Sequence, residues 1–319
     1  MQRDPAELVA LARTGSRTAL ARLLTYVETG GPNQRATAAL AYAVPAPYVV
    51  GMTGPPGAGK STLTDQLITV ALARGSFDGA AHFSDVGVLC VDPSSPFTGG
   101  AILGDRIRMQ DHATNEHVFI RSMATRGHLG GLSLAVPDAL RVLGAAGFTL
   151  ALVETVGVGQ MEVDIASAAD TTIVVTNPGW GDSMQANKAG LLEVADIFVI
   201  NKADRAGVRE TRRDLEQMLD LGGAHEWRPQ ILETVASTGA GTDELWDAIV
   251  AHRAFLEAGP LDAHRRSQLR VELDKVLTML MRSRISALAH GEAYEHQIDA
   301  LVAGSTDPYR AAETLLSES

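Results

Sequence analysis

Short apolar runs alternate with amphipathic stretches through the middle of the chain. Strands that are apolar throughout, rather than at every second residue, are typical of parallel sheets that helices cover on both faces. The pattern therefore predicts an α/β fold with a mostly parallel sheet flanked by helices. The predicted strands cover 48–54, 86–92, 117–123, 148–155, 171–177, 196–201 and 230–236, and the predicted helices between them cover 61–74, 134–145, 186–195, 207–221 and 241–257.

Both ends of the chain carry helical patterns alone. Two helices are predicted within 6–29, separated by Thr14-Gly15-Ser16, where the glycine ends one helix and the serine caps the next. A third helix is predicted over 35–43. After Gly259-Pro260 the periodicity predicts helices over 262–290, 292–303 and 307–317. We therefore expect an amino-terminal helical segment, a central domain and a carboxyl-terminal helical arm, over residues 1–46, 47–258 and 259–319.

The net charge of the chain argues against two classes of partner. Its 319 residues include 27 Lys and Arg and 38 Asp and Glu, which gives a net charge of −11. Nucleic acids and anionic membranes require a positive field, so we expect neither as a partner. The single cysteine, Cys90, excludes an intrachain disulfide, and the sequence shows neither a signal peptide nor an apolar run that could span a membrane. We expect a cytoplasmic protein.

A phosphate-binding motif follows the first predicted strand. The stretch Gly54-Pro55-Pro56-Gly57-Ala58-Gly59-Lys60-Ser61 fits G-x-x-x-x-G-K-[ST] and leads into a predicted helix. Its glycines let backbone N–H groups turn toward a phosphate, and the helix adds its positive end. Lys60 can reach the β- and γ-phosphates, and Ser61 can ligate Mg²⁺. The motif predicts a P-loop NTPase; the alternative is a glycine-rich turn that binds nothing.

A second motif, Asn201-Lys202-Ala203-Asp204, directly follows the sixth predicted strand. N-K-x-D at this place is typical of a guanine-binding segment. The carboxylate of Asp204 can accept hydrogen bonds from guanine N1–H and from the 2-amino group, whereas adenine offers neither donor. The stem of Lys202 can lie along the base. The motif predicts GTP and GDP rather than adenine nucleotides, and the alternative is an ordinary polar loop.

The fourth predicted strand ends in Glu154-Thr155-Val156-Gly157, where many GTP hydrolases carry D-x-x-G. In those proteins the acid lies near Mg²⁺ and the glycine N–H meets the γ-phosphate. Here glutamate replaces aspartate. Gln160, three residues further on, is a candidate for catalysis. The alternative for this stretch is an ordinary turn at the end of a strand.

Two aspartates are further candidates for metal binding. Asp92 ends the second predicted strand, which places it beside the phosphate loop of a parallel sheet. It is a candidate for a magnesium ligand or for a residue that orients the attacking water. Asp105 is an additional magnesium candidate. Each has a structural alternative as a helix N-cap, or for Asp92 also as a turn residue. The candidate catalytic residues are thus Lys60, Asp92, Glu154 and Gln160.

Five segments, in this order and spacing, resemble the MeaB/ArgK/MMAA family of GTPase chaperones of adenosylcobalamin-dependent methylmalonyl-CoA mutase. The segments are GPPGAGKST, VDPSSPFTGGAILGDRIRM, RSMATRGHLGGLS, ETVGVGQ and NKAD, and the resemblance extends over residues 6–317. It implies phosphate contacts from Gly57 to Thr62, whereas the γ-phosphate contact expected of Gly157 comes from the comparison with D-x-x-G. It also implies a magnesium site formed by Ser61, Asp92, Asp105 and Glu154, and guanine contacts from Asn201, Lys202 and Asp204.

The resemblance implies two further features. Val235, Ala236 and Ser237 match a segment whose backbone contacts guanine O6, although Val235 replaces the usual serine and retains only a backbone role. The family's carboxyl-terminal helices form a homodimer, for which the apolar stripe over 269–280 is suited. The alternative for that stripe is packing within the chain.

The function implied is slow GTP hydrolysis that a partner stimulates. The loops near 92–110 and 155–163 would respond to the γ-phosphate and gate delivery of cobalamin to methylmalonyl-CoA mutase or a related acyl-CoA mutase. An alternative is a P-loop kinase that acts in basic amino-acid transport. A maturation factor for hydrogenase or urease is a third, but such proteins tend to have His- or Cys-rich metal sites, and this chain has one cysteine.

Overall fold

The computed structural model describes residues 3–75, 85–93, 109, 112, 114–125, 131–155, 167–179, 194–221, 226–289 and 291–317, with the side chains of residues 92, 93, 124, 125, 131–134 and 287 left aside. Within these residues the strands are β1 (Tyr48–Thr53), β2 (Val86–Pro93), β3 (Val118–Thr125), β4 (Leu150–Thr155), β5 (Thr171–Thr176), β6 (Ile197–Asn201) and β7 (Gln230–Thr234). The helices are α1 (Pro5–Arg13), α2 (Arg17–Thr29), α3 (Pro32–Ala41), α4 (Lys60–Arg74), α5 (Gly131–Ala145), α6 (Val208–Leu221), α7 (Thr242–Glu257), α8 (Leu261–Leu288), α9 (Glu292–Val302) and α10 (Pro308–Ser317).

The strands form one sheet in the order β3-β2-β4-β1-β5-β6-β7, and every described pair is parallel. This confirms the predicted α/β fold. Strand β1 lies at the centre of the sheet, with β4 on one side and β5 on the other. In sheets of this kind ligands bind beyond the carboxyl ends of the central strands, where the connections diverge to the two sides. The phosphate motif lies at that place.

Two layers of helices cover the sheet. Helices α1, α2 and α5 share an apolar cluster with one face, which includes Leu23, Leu143 and Val153. Helices α4 and α7 share a second cluster with the opposite face, including Leu67, Trp246 and Val175. Because both faces are covered, β1, β4, β5 and β6 are buried along their whole length, which is why their sequences read as continuous apolar runs.

The amino-terminal helices begin where their capping residues predict. The Asp4 side chain accepts a hydrogen bond from the Ala6 N–H at 3.1 Å, and the Ser16 hydroxyl accepts one from the Ala19 N–H at 3.3 Å. The predicted bounds of the third helix, 35–43, are wrong, since α3 runs from Pro32 to Ala41. Proline needs no partner for its missing N–H at the first helical position, so the helix starts within the predicted turn. The helix predicted over 186–195 lies almost entirely outside the described residues.

The chain divides into two compact units, residues 1–269 and 270–319. The first unit contains α1 to α3 together with the sheet, and Arg121 of β3 forms a 2.6 Å ion pair with Glu28 of α2. It also contains the first turns of α8, where the guanidinium of Arg265 donates two hydrogen bonds to Asp170 at 3.0 and 3.1 Å. The functional boundaries at 46/47 and 258/259 stay predictions.

The second unit consists of the rest of α8 with α9 and α10. Several of its large apolar side chains are exposed: Leu273, Leu277, Leu280, Met281, Ile285, Val302 and Tyr309. Among the described helices of the whole chain, none combines the length and the apolar character that crossing a membrane would need.

Candidate nucleotide-binding site

The loop between β1 and α4 requires glycine at three positions. Gly54, Gly57 and Gly59 have φ angles of +136°, +76° and +94°. A Cβ atom on Gly54 would lie 2.0 Å from the carbonyl oxygen of Val175, and one on Gly59 would lie 2.3 Å from Nδ2 of Asn201. Side chains are therefore excluded by backbone conformation and, at two positions, by space. The result is a glycine-rich loop at the amino terminus of a 15-residue helix, which suits an anion.

Lys60 is the first residue of α4, and its side chain turns back over this loop. Its Nζ donates to the carbonyl oxygens of Gly54 at 2.6 Å and of Pro55 at 3.0 Å. The residue is 6% exposed. A phosphate oxygen is a stronger acceptor for an ammonium group than a neutral carbonyl, so these hydrogen bonds can be exchanged for contacts with a bound phosphate.

Asn201, the last residue of β6, joins three segments of the site. Its Nδ2 donates to the carbonyl oxygen of Ala58 at 2.8 Å. Its Oδ1 accepts from the hydroxyl of Thr234 and from the N–H of Ala236, each at 3.1 Å. The residue is 2% exposed, so these contacts replace water. Among the described contacts, Asn201 thus holds the phosphate loop against the end of β7.

Lys202 and Asp204 lie at the open side of this junction. Lys202 has a φ of +58°, the only positive φ of a described non-glycine residue, and its Nζ donates to the carbonyl oxygen of Gly57 at 2.6 Å. Such a backbone costs free energy and is concentrated at functional sites. The turn is held by the N–H of Ala203, which donates to Thr234. Asp204 is exposed, so its carboxylate is accessible to a ligand.

The segment 235–237 follows β7. The N–H of Val235 donates to the carbonyl oxygen of Ala240 at 2.9 Å, and the N–H of Ala236 donates to Asn201. Ser237 is exposed. Two of the three backbone groups predicted to contact guanine are thus engaged within the chain, and the predicted contact with O6 stays a prediction.

Glu154 is a buried carboxylate next to the phosphate loop. It lies on β4 between Met52 of β1 and Cys90 of β2, and it is 2% exposed. Its Oε2 accepts a hydrogen bond from the hydroxyl of Thr64 on α4 at 2.6 Å. A buried carboxylate requires such partners because it has lost its water.

The donor atoms present fit a magnesium ion. Ser61 is a buried residue in the first turn of α4, and Glu154 approaches α4 from β4. Both offer oxygen, the ligand atom that Mg²⁺ prefers, and Mg²⁺ at phosphate sites takes one or two side chains and completes its shell with phosphates and water. Among the described side chains no group of three or more His, Cys, Asp or Glu is arranged to hold a metal.

Four of the predicted site residues fall wholly or in part outside the portion of the chain that the structure describes. Asp92 lies at the end of β2, in register with Ala124 of β3, but its side chain is outside the description. Asp105, Gly157 and Gln160 lie outside the described residues.

The sequence analysis missed two residues of the site. Thr64 contacts Glu154, and Thr234 contacts Asn201. A signal existed for the first, because Thr64 carries a hydroxyl between apolar positions of α4 that are predicted to be buried, such as Leu63, Leu67 and Ile68. Thr234 offered no such signal, since polar residues are common where a strand ends.

Comparisons with known proteins agree with this geometry. The family model described as "Methylmalonyl Co-A mutase-associated GTPase MeaB" matches residues 20–290. A relative from Pyrococcus abyssi with a provisional GTPase name is 48% identical, over 98% of this chain and 96% of its own. The GTPase ArgK of Escherichia coli is 39% identical, over 82% of this chain and 80% of its own. A solved structure described as "Crystal structure of LAO/AO transport system kinase" superposes with a TM-score of 0.70 and 29% identity, covering 99% of this chain and 98% of that chain.

Proposed function

Because this chain belongs to the MeaB family of methylmalonyl-CoA mutase-associated GTPases, it is a GTPase, and we propose which of its residues hold and hydrolyse GTP. The observation that carries the proposal is the direct hydrogen bonding between the two nucleotide motifs. Asn201 and Lys202 donate to the backbone of Ala58 and Gly57. One hydrogen-bonded structure would therefore bind both parts of the nucleotide, the purine beyond β6 and the phosphate chain beyond β1.

In this proposal the loop from Gly54 to Gly59 surrounds the phosphates with backbone N–H groups and Asp204 accepts from guanine. Lys60 exchanges its two carbonyl acceptors for the β- and γ-phosphate oxygens. Ser61 and Glu154 would hold Mg²⁺, which supplies positive charge to the phosphate oxygens. Asp92 and Gln160 are the proposed residues near the attacking water, and the turnover is slow until a partner stimulates it.

We extend the proposal to a client. The family description supports methylmalonyl-CoA mutase, or a related acyl-CoA mutase, as the partner. The GTPase would gate the loading of adenosylcobalamin and protect the loaded enzyme, in the cytoplasm. The exposed apolar side chains of residues 270–319 support a homodimer through this unit. Capture of recombinant mutase by the immobilised protein, compared between GDP and a non-hydrolysable GTP analogue, tests the client; equal or absent capture would favour another one.

The experiment that tests the GTPase site is phosphate release from GTP without any acceptor molecule. Lys60→Ala should lose at least about a hundredfold in rate, because the ammonium stabilises charge that develops in the transition state. Lys275→Ala in α8 is the matched control and should retain the wild-type rate. Full activity of Lys60→Ala would eliminate the assignment. Transfer of phosphate only when an amino-acid acceptor is present would instead support a kinase function, the one for which the related solved structure is named.

A further inference from the structure

Thr64 is a buried hydroxyl on the side of α4 that faces the sheet. It is 1% exposed, and its neighbours Leu63 and Leu67 are buried apolar side chains. Its Oγ1 lies 2.6 Å from Oε2 of Glu154 and 3.1 Å from the carbonyl oxygen of Lys60. The hydroxyl has one proton, and its contact with the carboxylate is the shorter of these two. The proton is therefore donated to Glu154.

The contact with Thr64 restricts the carboxylate of a glutamate. Many other GTP hydrolases carry aspartate at the corresponding place, in the D-x-x-G motif, and glutamate has one more rotatable bond than aspartate. That extra torsion leaves the position of the carboxylate undetermined unless a second group fixes it. Thr64 is such a group, since it belongs to a helix that the apolar core holds in place.

Thr64 also brings Glu154 close to Ser61, which is a second candidate magnesium ligand. Ser61 and Thr64 are three residues apart on α4, and residues at this spacing lie on the same face of a helix. Both are buried. The Glu154 carboxylate, hydrogen-bonded to Thr64, therefore lies near the helix face that carries the Ser61 hydroxyl. Thr64 is itself one helical turn after Lys60.

We propose that Thr64 is a positioning residue that holds the Glu154 carboxylate for the magnesium ion bound with the nucleotide, and so determines the metal affinity of the complex. The inference rests on the proposed function, since it requires that Ser61 and Glu154 serve Mg²⁺ beside GTP or GDP. In this proposal Thr64 acts through Glu154 and is not itself a ligand of the metal or the nucleotide. Hydrogen-bond partners of metal ligands typically change metal affinity by 10- to 100-fold when they are removed.

The test compares Thr64→Val, which removes the hydroxyl, with Thr64→Ser, which keeps it. The dissociation constant of GDP is measured in EDTA and then during a titration with Mg²⁺. For Thr64→Val the affinity in EDTA should stay within about twofold of wild type, whereas the half-saturating Mg²⁺ concentration should rise about tenfold or more. Thr64→Ser should remain within about threefold of wild type in both quantities, because the donor is retained.

Thr69→Val is the matched control on the same helix. The Thr69 hydroxyl donates to the carbonyl oxygen of Asp65 at 3.2 Å, four residues earlier, at the same spacing as the contact of Thr64 with the Lys60 carbonyl, but Thr69 is exposed. Its removal should leave both quantities unchanged. In a Glu154→Ala background, Thr64→Val should add no further change in the Mg²⁺ requirement, since the residue acts through Glu154.

Three results would overturn the inference: a wild-type Mg²⁺ requirement in Thr64→Val, an equal loss of affinity in EDTA, or an undiminished effect in the Glu154→Ala background. If valine unfolds the protein, as circular dichroism would show, Thr64→Ala against Thr64→Ser makes the same comparison. Failure of the proposed function is distinguishable, because the wild-type protein would then bind GDP neither with nor without Mg²⁺.

Discussion

Nδ2 of Asn201 lies 2.8 Å from the carbonyl oxygen of Ala58, and this hydrogen bond joins residues 143 positions apart in the chain. Because the same side chain also accepts from Thr234 and Ala236, one amide connects the phosphate loop, the guanine-binding segment and the end of β7. The geometry of the site therefore depends on a residue whose motif role suggests contact with the base alone.

Replacing that amide should affect folding as well as binding. Asn201→Ala would leave buried polar groups of three segments without their partner, each at a cost of about 1–3 kcal/mol. We expect the free energy of unfolding to fall by about 2–4 kcal/mol and the GDP affinity to fall with it. Denaturant unfolding and calorimetry measure both. Asn115→Ala, which removes one acceptor in the turn before β3, is the control and should leave GDP affinity unchanged.

Gly54 should tolerate no side chain. A Cβ there would lie 2.0 Å from a backbone oxygen, whereas at Gly147, also at positive φ, it would meet nothing within 4 Å. Gly147→Ala should lower the free energy of unfolding by about 1–2 kcal/mol, because only its backbone conformation is unfavourable. Gly54→Ala should lose at least about 2 kcal/mol more, because the backbone of β1 must move. Equal losses in chemical denaturation would show that the loop is less constrained than the structure indicates.

The strands and the phosphate motif could be predicted from sequence because their signals are local. The apolar runs of β1 and β4 reflect burial on both faces, and the P-loop spacing is fixed by its ligand. The order of the strands could not be predicted, since nothing in either run states that β4 lies beside β1. Contacts such as Asn201 with Ala58 or Thr64 with Glu154 depend on that order. Such contacts can be identified only from the three-dimensional structure.

The proposed dimer depends on residues after Leu269. Truncation there retains Arg265, whose contact with buried Asp170 belongs to the first unit, and removes the exposed apolar residues of the second. We expect the full chain to be a dimer and the truncated chain a folded monomer by light scattering. A truncated chain that remains dimeric would contradict the assignment of the interface to residues 270–319.

Protonation of buried His252 should lower the free energy of unfolding at acidic pH. Burial, followed by the nearby His264, lowers the pKa of His252 to about 4, while its Nδ1 contacts the Thr171 hydroxyl at 2.9 Å. A folded-state pKa below the ordinary value means that the neutral form stabilises the fold. That contribution is complete above pH 6.5 and is lost as the pH falls toward 4, about 3 kcal/mol at most.

A neighbouring carboxyl titrates with the opposite sign. Burial raises the pKa of Asp196 to about 6, so its protonation on acidification stabilises the folded state and offsets the loss from His252. A comparison of wild type with His252→Gln separates the contribution of His252 from that of Asp196. Between pH 6.5 and 4, the variant should gain stability relative to wild type in parallel denaturant titrations, because it lacks the loss from His252. Identical pH profiles would show that His252 does not titrate in this range.

The central claim is that Asp204 recognises guanine while the loop after β1 holds the phosphates, and calorimetry with two nucleotides tests it most directly. Wild type should bind GDP in magnesium-containing buffer and should bind xanthosine diphosphate weakly. Asp204→Asn should reverse this preference, with GDP affinity falling about a hundredfold, because two hydrogen bonds to a charged acceptor are lost. An unchanged GDP affinity in the variant, or a wild-type protein that binds neither GDP nor GTP, would contradict the account.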